Sequence, residues 1–342
     1  MIYVAADIHL RECTWKGRPD ICGDQYNAWA QLCMTVAKDP EGVLVLAGDI
    51  FDTPYPTGVT EAAFSRGVEI MKGRDCYFIP GNHDDEACPR PWIFGMKELG
   101  HAPADIVEYN GFRIGGIPYK RSAKELHAIL ENLPSMDMLV LHTGFRHLLG
   151  FEETWQLSEE DIPDQVKMVF AGHVHVHSEK GKVYSPGSLA LHRADEVTKG
   201  HGYFIVDPRT SAVTWKEVFT RRYMTVGLDK EVDHAALEEL AANWRYPSMP
   251  VVLLDYRNDD TAKAEALQEL YKDRLLFVCN ARSSETVRAI EDTPGTSLDL
   301  DAVADDWLSK HLTKDQFELA KAFLDAEDPS SELSEFIKRN NL

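Results

Sequence analysis

Apolar residues along this chain fall into two rhythms. Short unbroken apolar runs, Ile2–Ala6, Val43–Ala47, Cys76–Ile79, Met138–Leu141 and Met168–Ala171, read as buried strands, and Phe112–Ile117 reads as another strand. Between the first three lie segments with helical spacing. Trp29, Leu32, Cys33 and Val36 follow Asp24, which is placed to cap their helix, and Phe64, Val68 and Met71 line a helix beginning at Thr60. Ser122-x-x-Glu125 has the form of a capping box, opening a helix with Leu126, Ile129, Leu130 and Leu133 on one face. Strand–helix–strand order predicts parallel pairing with helices packed on the sheet, and in such sheets ligands bind outside the carboxyl ends of the strands.

Beyond residue 175 the texture changes. Val183–Tyr184, Tyr203–Val206 and Val213–Val218 are short strands joined by tight turns, an antiparallel pattern. The expectation for 1–220 is an α/β fold of two stacked mixed sheets flanked by helices. Residues 221–282 read as a small α+β unit, with strands Met224–Leu228, Val251–Tyr256 and Leu275–Asn280 and helices Ala235–Trp244 and Ala262–Tyr271 between them. The polar stretch 283–298, containing Pro294-Gly295, reads as a linker. Residues 299–342 read as a helical tail, with an apolar stripe from Leu300 to Leu312 and a second capping box at Thr313-x-x-Gln316.

The chain has 342 residues, enough for a large core and two domains. No apolar run approaches the ~18–20 residues of a membrane span, and no basic stretch precedes the first strand as in a signal peptide. The expectation is a cytoplasmic protein with no membrane contact. Six cysteines, none in a Cys-x-x-Cys pair, are expected as reduced thiols. A formal net charge of −20 argues against tight, autonomous binding of nucleic acid. It does not argue against a nuclease, because bound divalent cations and local Lys/Arg clusters set the field at such a site.

Polar motifs of metal-binding type follow these apolar runs: Asp7-Ile8-His9, Gly48-Asp49, Gly81-Asn82-His83-Asp84, His142 and Gly172-His173-Val174-His175. Singly each is weak; together they deliver Asp, Asn and His to neighbouring strand ends. Asp7 and His9 flank one residue and on an extended segment point the same way. Gly48 lets the backbone approach a metal, and the Asp49 carboxylate can bridge two cations. Asn82 offers an amide oxygen; His142, His173 and His175 offer imidazoles. These groups supply two four-ligand shells if Asp49 is shared. Mixed nitrogen and oxygen donors suit Mn²⁺, Fe²⁺ or Zn²⁺ better than Mg²⁺, and two such ions can activate a water and clamp a phosphoryl group for in-line attack. His83, beside a ligand but not needed as one, is placed to protonate the leaving oxygen or stabilise transition-state charge. Asp84 is expected to orient its ring, and Asp52 to partner a ligating histidine. His177 continues the alternation and reads as a surface residue. Lys120, Arg121, Lys180, Lys182, Arg193 and Lys199 are candidates for phosphate contacts.

The motifs resemble those of the calcineurin-like metallophosphoesterase superfamily. Within it, His9-Leu10, Gly48-Asp49-Ile50-Phe51-Asp52, and Tyr184-Ser185-Pro186-Gly187-Ser188 followed by Glu196 and Lys199-Gly200 resemble the SbcD-type nucleases, the nuclease subunits of Mre/Rad double-strand-break repair complexes. The resemblance covers about 1–220 and implies a four-layer sandwich. It implies that Asp7, His9, Asp49 and His175 hold one metal, that Asp49, Asn82, His142 and His173 hold the other, and that His83 is the catalytic histidine. It further implies manganese, 3′→5′ exonuclease and endonuclease action on DNA, and a homodimer working with an SMC-like ATPase. The tail 299–342 would grip that ATPase, and 221–282 fits the DNA-binding cap by position only. Arg11 stands where this branch usually has glycine, and Asp85 where many relatives have serine; a length below that of most cellular members suggests a compact version, of the kind a phage encodes. Two other readings compete: a phosphoesterase acting on a small phosphodiester or a phosphoprotein, and a mainly structural subunit that binds DNA ends. The intact donor set and His83 argue against the last.

Overall fold

In the computed structural model, which describes residues 1–84, 91–100, 106–148, 157–242 and 248–282, the apolar runs become the middle of two sheets. The strands in chain order are β1 (Ile2–Ala5), β2 (Val43–Ala47), β3 (Asp75–Ile79), β4 (Lys97–Glu98), β5 (Ile106–Tyr109), β6 (Phe112–Ile117), β7 (Met136–His142) and β8 (Val166–Gly172). They continue with β9 (Ser178–Lys180), β10 (Val183–Ser185), β11 (Gly202–Val206), β12 (Val213–Glu217), β13 (Tyr223–Gly227), β14 (Val251–Arg257) and β15 (Leu276–Arg282). The helices are α1 (Asp24–Lys38), α2 (Gly58–Ile70), α3 (Ala123–Glu131), α4 (His234–Ala242) and α5 (Thr261–Tyr271).

One six-stranded sheet has the order β12-β11-β1-β2-β3-β4 and the other β5-β6-β7-β8-β10-β9. β1 to β4 pair parallel, as do β6, β7 and β8; β11 pairs antiparallel with β1. Side-chain alternation along each strand then sorts the core. Ile2, Val4, Val43, Val45 and Ile79 face Ile114, Met138, Val140 and Phe170 between the sheets. Tyr3, Ala5, Leu44, Leu46 and Phe78 turn the other way, onto Trp29, Leu32, Val36 and Phe64 of α1 and α2. Leu139, Leu141, Val169 and Ala171 turn outward onto Leu126 and Leu130 of α3. The layers are helix, sheet, sheet, helix. Both faces of the central strands are covered, which is why their sequences are unbroken apolar runs. Trp29 lies flat on Phe64, ring centroids 5.2 Å apart, and joins α1 to α2.

Local details depart from expectation in instructive ways. Asp24 does not cap α1: Gly23 occupies the cap position, in a left-handed conformation with no side-chain cap. The Asp24 carboxylate is taken up by Arg221 and Tyr223 instead. α2 begins at Gly58, capped by Thr57, whose side chain accepts from the Thr60 amide. Ser122 does cap α3 through the Glu125 amide. β10 is antiparallel to β9, as expected of this region, but parallel to β8, because Val183 and Tyr184 lie beside Val169 and Phe170 as a continuation of that sheet.

Beyond β12, β13-β14-β15 form a small sheet. Val252 and Leu254 on one face pack on Leu237 of α4 and Ala264 and Leu267 of α5. Val251 and Leu253 on the other face pack on Ile21, with Trp15 beside them, in the segment between β1 and α1. Met1–Ala281 form one compact unit. The linker expected at 283–298 and the tail expected at 299–342 lie outside the described residues, as do Asp85 and Cys88. Among the described residues no helix is long and apolar enough to cross a membrane.

Candidate metal centre

The carboxyl ends of β1, β2, β3, β7 and β8 deliver Asp7, Asp49, Asn82, His142 and His173 to one edge of the two sheets. Past their ends the β1 and β2 segments stay hydrogen-bonded side by side: the Asp7, His9 and Leu10 amides donate to the carbonyls of Gly48, Asp49 and Ile50 at 3.1, 3.0 and 2.9 Å. Asp7, His9, Asp49 and His173 have positive φ angles of 49°, 43°, 52° and 93°. Each such conformation costs a non-glycine residue on the order of 1–3 kcal/mol and persists where the surroundings over-determine it, as at functional sites. Gly48 has φ 88°, and a Cβ there would overlap the His142 ring. Gly48 therefore makes room for His142.

The seven candidate ligands come together in two connected groups. In one, His9 Nε2 lies 3.1 Å from His175 Nε2 and 3.6 Å from Asp49 Oδ2, and His175 Nε2 lies 3.9 Å from Asp7 Oδ1. In the other, His142 Nε2 lies 3.0 Å from Asn82 Oδ1 and 3.3 Å from the same Asp49 Oδ2, and His173 Nδ1 lies 2.9 Å from Asn82 Oδ1. Asp49 faces both groups. Two of the imidazoles are oriented from behind. His142 Nδ1 donates to the Ala47 carbonyl at 2.7 Å, and His175 Nδ1 to Glu196 Oε1 at 2.6 Å. The buried Glu196 also accepts from Ser188 Oγ and from the His192 amide, at 3.0 and 2.8 Å. With the proton fixed at Nδ1, Nε2 is left to face the centre.

The charges in this pocket do not balance from the protein alone. Asp7 and Asp49 are 0% and 2% exposed, and among the described residues neither pairs with a lysine or arginine. Burial pushes Asp7 up to about 6. Burial would raise Asp49 too, but the charge and hydrogen bond of His142 hold it well below the usual carboxylate range. Burial opposes charge on His142, yet Asp49 and Asp7 carry it up to about 9. Burial and the His142 charge push His173 down to about 4. The two buried carboxylates share the raised imidazole of His142, and further positive charge at this centre would stabilise them. Two carboxylates, an amide oxygen and four imidazoles are a fitting donor set for two divalent cations of mixed nitrogen and oxygen preference, and the ligand atoms of Asp7, His9 and His175, and of Asp7, Asp49 and His142, lie within 4.8 Å of one another.

His83 adjoins the cluster. Its amide donates to Asp49 Oδ1 at 2.8 Å and its ring stands edge-on to His9, centroids 4.8 Å apart. The partner of His83 Nδ1 is the Asp52 carbonyl, at 3.0 Å. The Asp84 carboxylate does not take the orienting role expected of it: it accepts the Gly81, Ile50 and Phe51 amides at 2.9, 3.1 and 3.4 Å, tying the β3 loop to the β2 loop. Asp52 does neighbour a histidine of the cluster, with Oδ1 3.6 Å from His9 Nδ1, and pairs with Arg11 at 3.2 Å. His177 lies flat on Trp215, centroids 4.2 Å apart, outside the cluster.

The candidate phosphate contacts scatter. Lys182 is taken up by the Ile162 and Pro163 carbonyls, Lys120 by Glu125 at 2.8 Å, and Arg193 by Asp195 and Glu196 at 3.7 and 3.9 Å. Arg121 and Lys180 are exposed. Lys199 lines a cavity of about 560 Å³ with His201, Arg221 and Arg222, which holds none of the seven cluster residues. Sequence reasoning missed His192 altogether and left Glu196 without a role. Glu196 carried a signal in its place after Pro186-Gly187-Ser188; His192 carried none.

A family model described as calcineurin-like phosphoesterase matches residues 1–177. The DNA double-strand break repair protein Mre11 of Sulfurisphaera tokodaii is 25% identical over 210 residues, covering 54% of this chain and 54% of that protein. The protein of the same name from Saccharolobus solfataricus is 24% identical over 208 residues, again 54% of each. The chain thus spans about half the length of the curated relatives it matches. The crystal structure of Pseudomonas putida nuclease MPE aligns with 13% identity and a TM-score of 0.32 over 63% of this chain and 87% of that one, a likeness that carries no argument.

Proposed function

The chain belongs to the calcineurin-like phosphoesterase family, and on that premise we propose that it is a two-metal phosphodiesterase that cleaves DNA. The observation that carries this reading is the buried cluster in which Asp49 faces both donor groups. Asp7, His9, Asp49 and His175 would hold one divalent ion, and Asp49, Asn82, His142 and His173 the other. When bound, such ions polarise a phosphoryl oxygen and provide a nucleophilic water at neutral pH. The remaining work falls to the protein. The Ala47 carbonyl and Glu196 hold His142 and His175 with Nε2 toward the centre. Asp84 fixes the loop that carries Asn82 and His83. The Asp52 carbonyl keeps the His83 proton at Nδ1, so that Nε2 is the nitrogen that would give a proton to the leaving oxygen.

DNA as substrate is supported by relatives named as DNA double-strand break repair proteins and by the added small sheet. The finer parts of the proposal are manganese as the working metal, 3′→5′ exonuclease and endonuclease action, a homodimer, and an SMC-like ATPase partner engaged through the C-terminal segment. The test is cleavage of end-labelled duplex and single-stranded DNA with Mn²⁺, Mg²⁺ or EDTA, wild type beside His83→Ala. Mn²⁺-dependent cutting that His83→Ala lowers by roughly 10²–10⁴-fold is expected. Hydrolysis of a bis-p-nitrophenyl ester with no cutting of any DNA end, with or without an ATPase partner, would overturn the DNA assignment and favour a small phosphodiester.

A further inference from the structure

His192 belongs to no motif, yet it sits against the cluster. Its ring lies flat on His9, centroids 4.1 Å apart and planes 22° from parallel, and edge-on to His175 at 5.2 Å. Its peptide is held on both sides. The amide donates to Glu196 Oε2, the carboxylate that also holds His175. The carbonyl accepts from Arg11 Nη2, and Arg11 Nη1 donates to Asp52 Oδ2. Asp52 Oδ1 then lies 3.6 Å from His9 Nδ1 and 3.7 Å from His192 Nε2. His9 Nδ1 is buried and has no hydrogen-bond partner.

That orphaned nitrogen matters because His9 Nε2 faces the cluster, 3.1 Å from His175 Nε2. An imidazole that gives Nε2 to a cation keeps its proton on Nδ1, and a buried N–H needs an acceptor. Asp52 Oδ1 is placed to accept it after a small closing movement. The His9 ring must keep its plane for that bond and for presentation of Nε2, and the face against which it lies is His192. Arg11, standing where the resembled branch usually has glycine, ties Asp52 to the His192 backbone.

We infer that Arg11, Asp52 and His192 form one positioning unit for His9, in which the stacked His192 ring sets the plane of the His9 imidazole toward the cation held with Asp7, Asp49 and His175. The inference rests on the two-metal reading above. His192 acts here through the face of its ring, as a positioning residue and not as a ligand.

The experiment is calorimetric titration of the metal-free full chain with MnCl₂, folding being checked by circular dichroism. Wild type should take up two equivalents. His192→Ala should weaken one of the two by roughly 10–100-fold and leave the other unchanged. His192→Phe, which keeps a flat ring and loses both nitrogens, should bind as wild type. Unchanged binding by a folded His192→Ala overturns the inference and leaves the two-metal reading standing. A His192→Phe as weak as His192→Ala shows that a ring nitrogen acts, and overturns the stacking role. No Mn²⁺ uptake by wild type overturns the two-metal reading and this inference with it. Asp52→Asn leaves His192 in place and is the second probe should the alanine variant fail to fold: a tenfold loss at one site supports the unit, and unchanged binding refutes it.

Discussion

Replacing Asp24 by asparagine removes a charge and keeps the shape of the side chain, and the two roles open to Asp24 answer differently. As a helix cap, asparagine would serve as well as aspartate, and the change would be close to neutral. In the structure, Arg221 Nε lies 3.0 Å from both Asp24 oxygens, Tyr223 donates to Asp24 Oδ2 at 2.6 Å, and Arg221 Nη1 donates to the Met249 carbonyl at 2.7 Å. The two side chains of the pair are 1% and 2% exposed. Asp24→Asn therefore leaves a guanidinium buried without its carboxylate. At 3.0 Å and an effective dielectric constant of about 20 the lost attraction is roughly 5 kcal/mol, in line with the ~3–5 kcal/mol lost when one partner of a buried pair is removed. Each kcal/mol moves the unfolding midpoint of a domain this large by roughly 2–4 °C, so a fall of roughly 6–20 °C is expected. Urea titration and a thermal scan of metal-free protein measure it. A loss below about 1 kcal/mol would refute the reasoning and restore the cap.

Glu196→Gln keeps a hydrogen-bond acceptor near His175 Nδ1 but removes the charge that, against its own burial, the His175 bond holds ionised; Mn²⁺ affinity should fall roughly 10–100-fold by calorimetry, and unchanged affinity would count against the orienting role. Mn²⁺ at a hundred times its Kd should stabilise the protein by about 2.7 kcal/mol per site, reversibly with EDTA. Asp49→Ala should lose most of that shift because both donor groups include Asp49, and a full shift in the variant would exclude the shared role. Asp84 is pushed up to about 6 by burial and by the Asp49 charge. The fold then binds this proton more tightly than the unfolded chain does. The favourable contribution, about 3 kcal/mol from roughly 2 pKa units, is full below about pH 4 and lost as pH rises through 6. In metal-free protein, stability of wild type between pH 4 and 6 should fall more steeply than that of Asp84→Asn; parallel slopes in denaturant titrations would show that Asp84 is not the linked group.

Much of the frame was legible before the structure, because it is written in local patterns. A strand covered on both faces must be apolar at every position, and Ile2–Ala6, Val43–Ala47 and Met168–Ala171 say so without reference to the rest of the chain. The candidate ligands were legible for the same reason: Asp7, Asp49, Asn82, His142 and His173 each follow such a run, and parallel strands bring their carboxyl ends to one edge. Partners across long stretches of sequence were not legible. Asp24 sits where a cap belongs, but its carboxylate is claimed by Arg221, 197 positions away, and no periodicity encodes that meeting. His83 and Asp84 are neighbours in sequence, yet the turn sends one ring to the Asp52 carbonyl and the other carboxylate to three backbone amides. Lys182 resembles a free cation until the folded loop offers it two carbonyls. His192 lies on His9 with its peptide held by Glu196 and by Arg11, residues far from His9 or from His192 along the chain. Sequence determined which segments form strands and which residue types end them. Tertiary structure decided which groups those residues meet, because burial and spacing act along the chain whereas ion pairs, ring stacks and the orientation of an imidazole depend on loops closed across it.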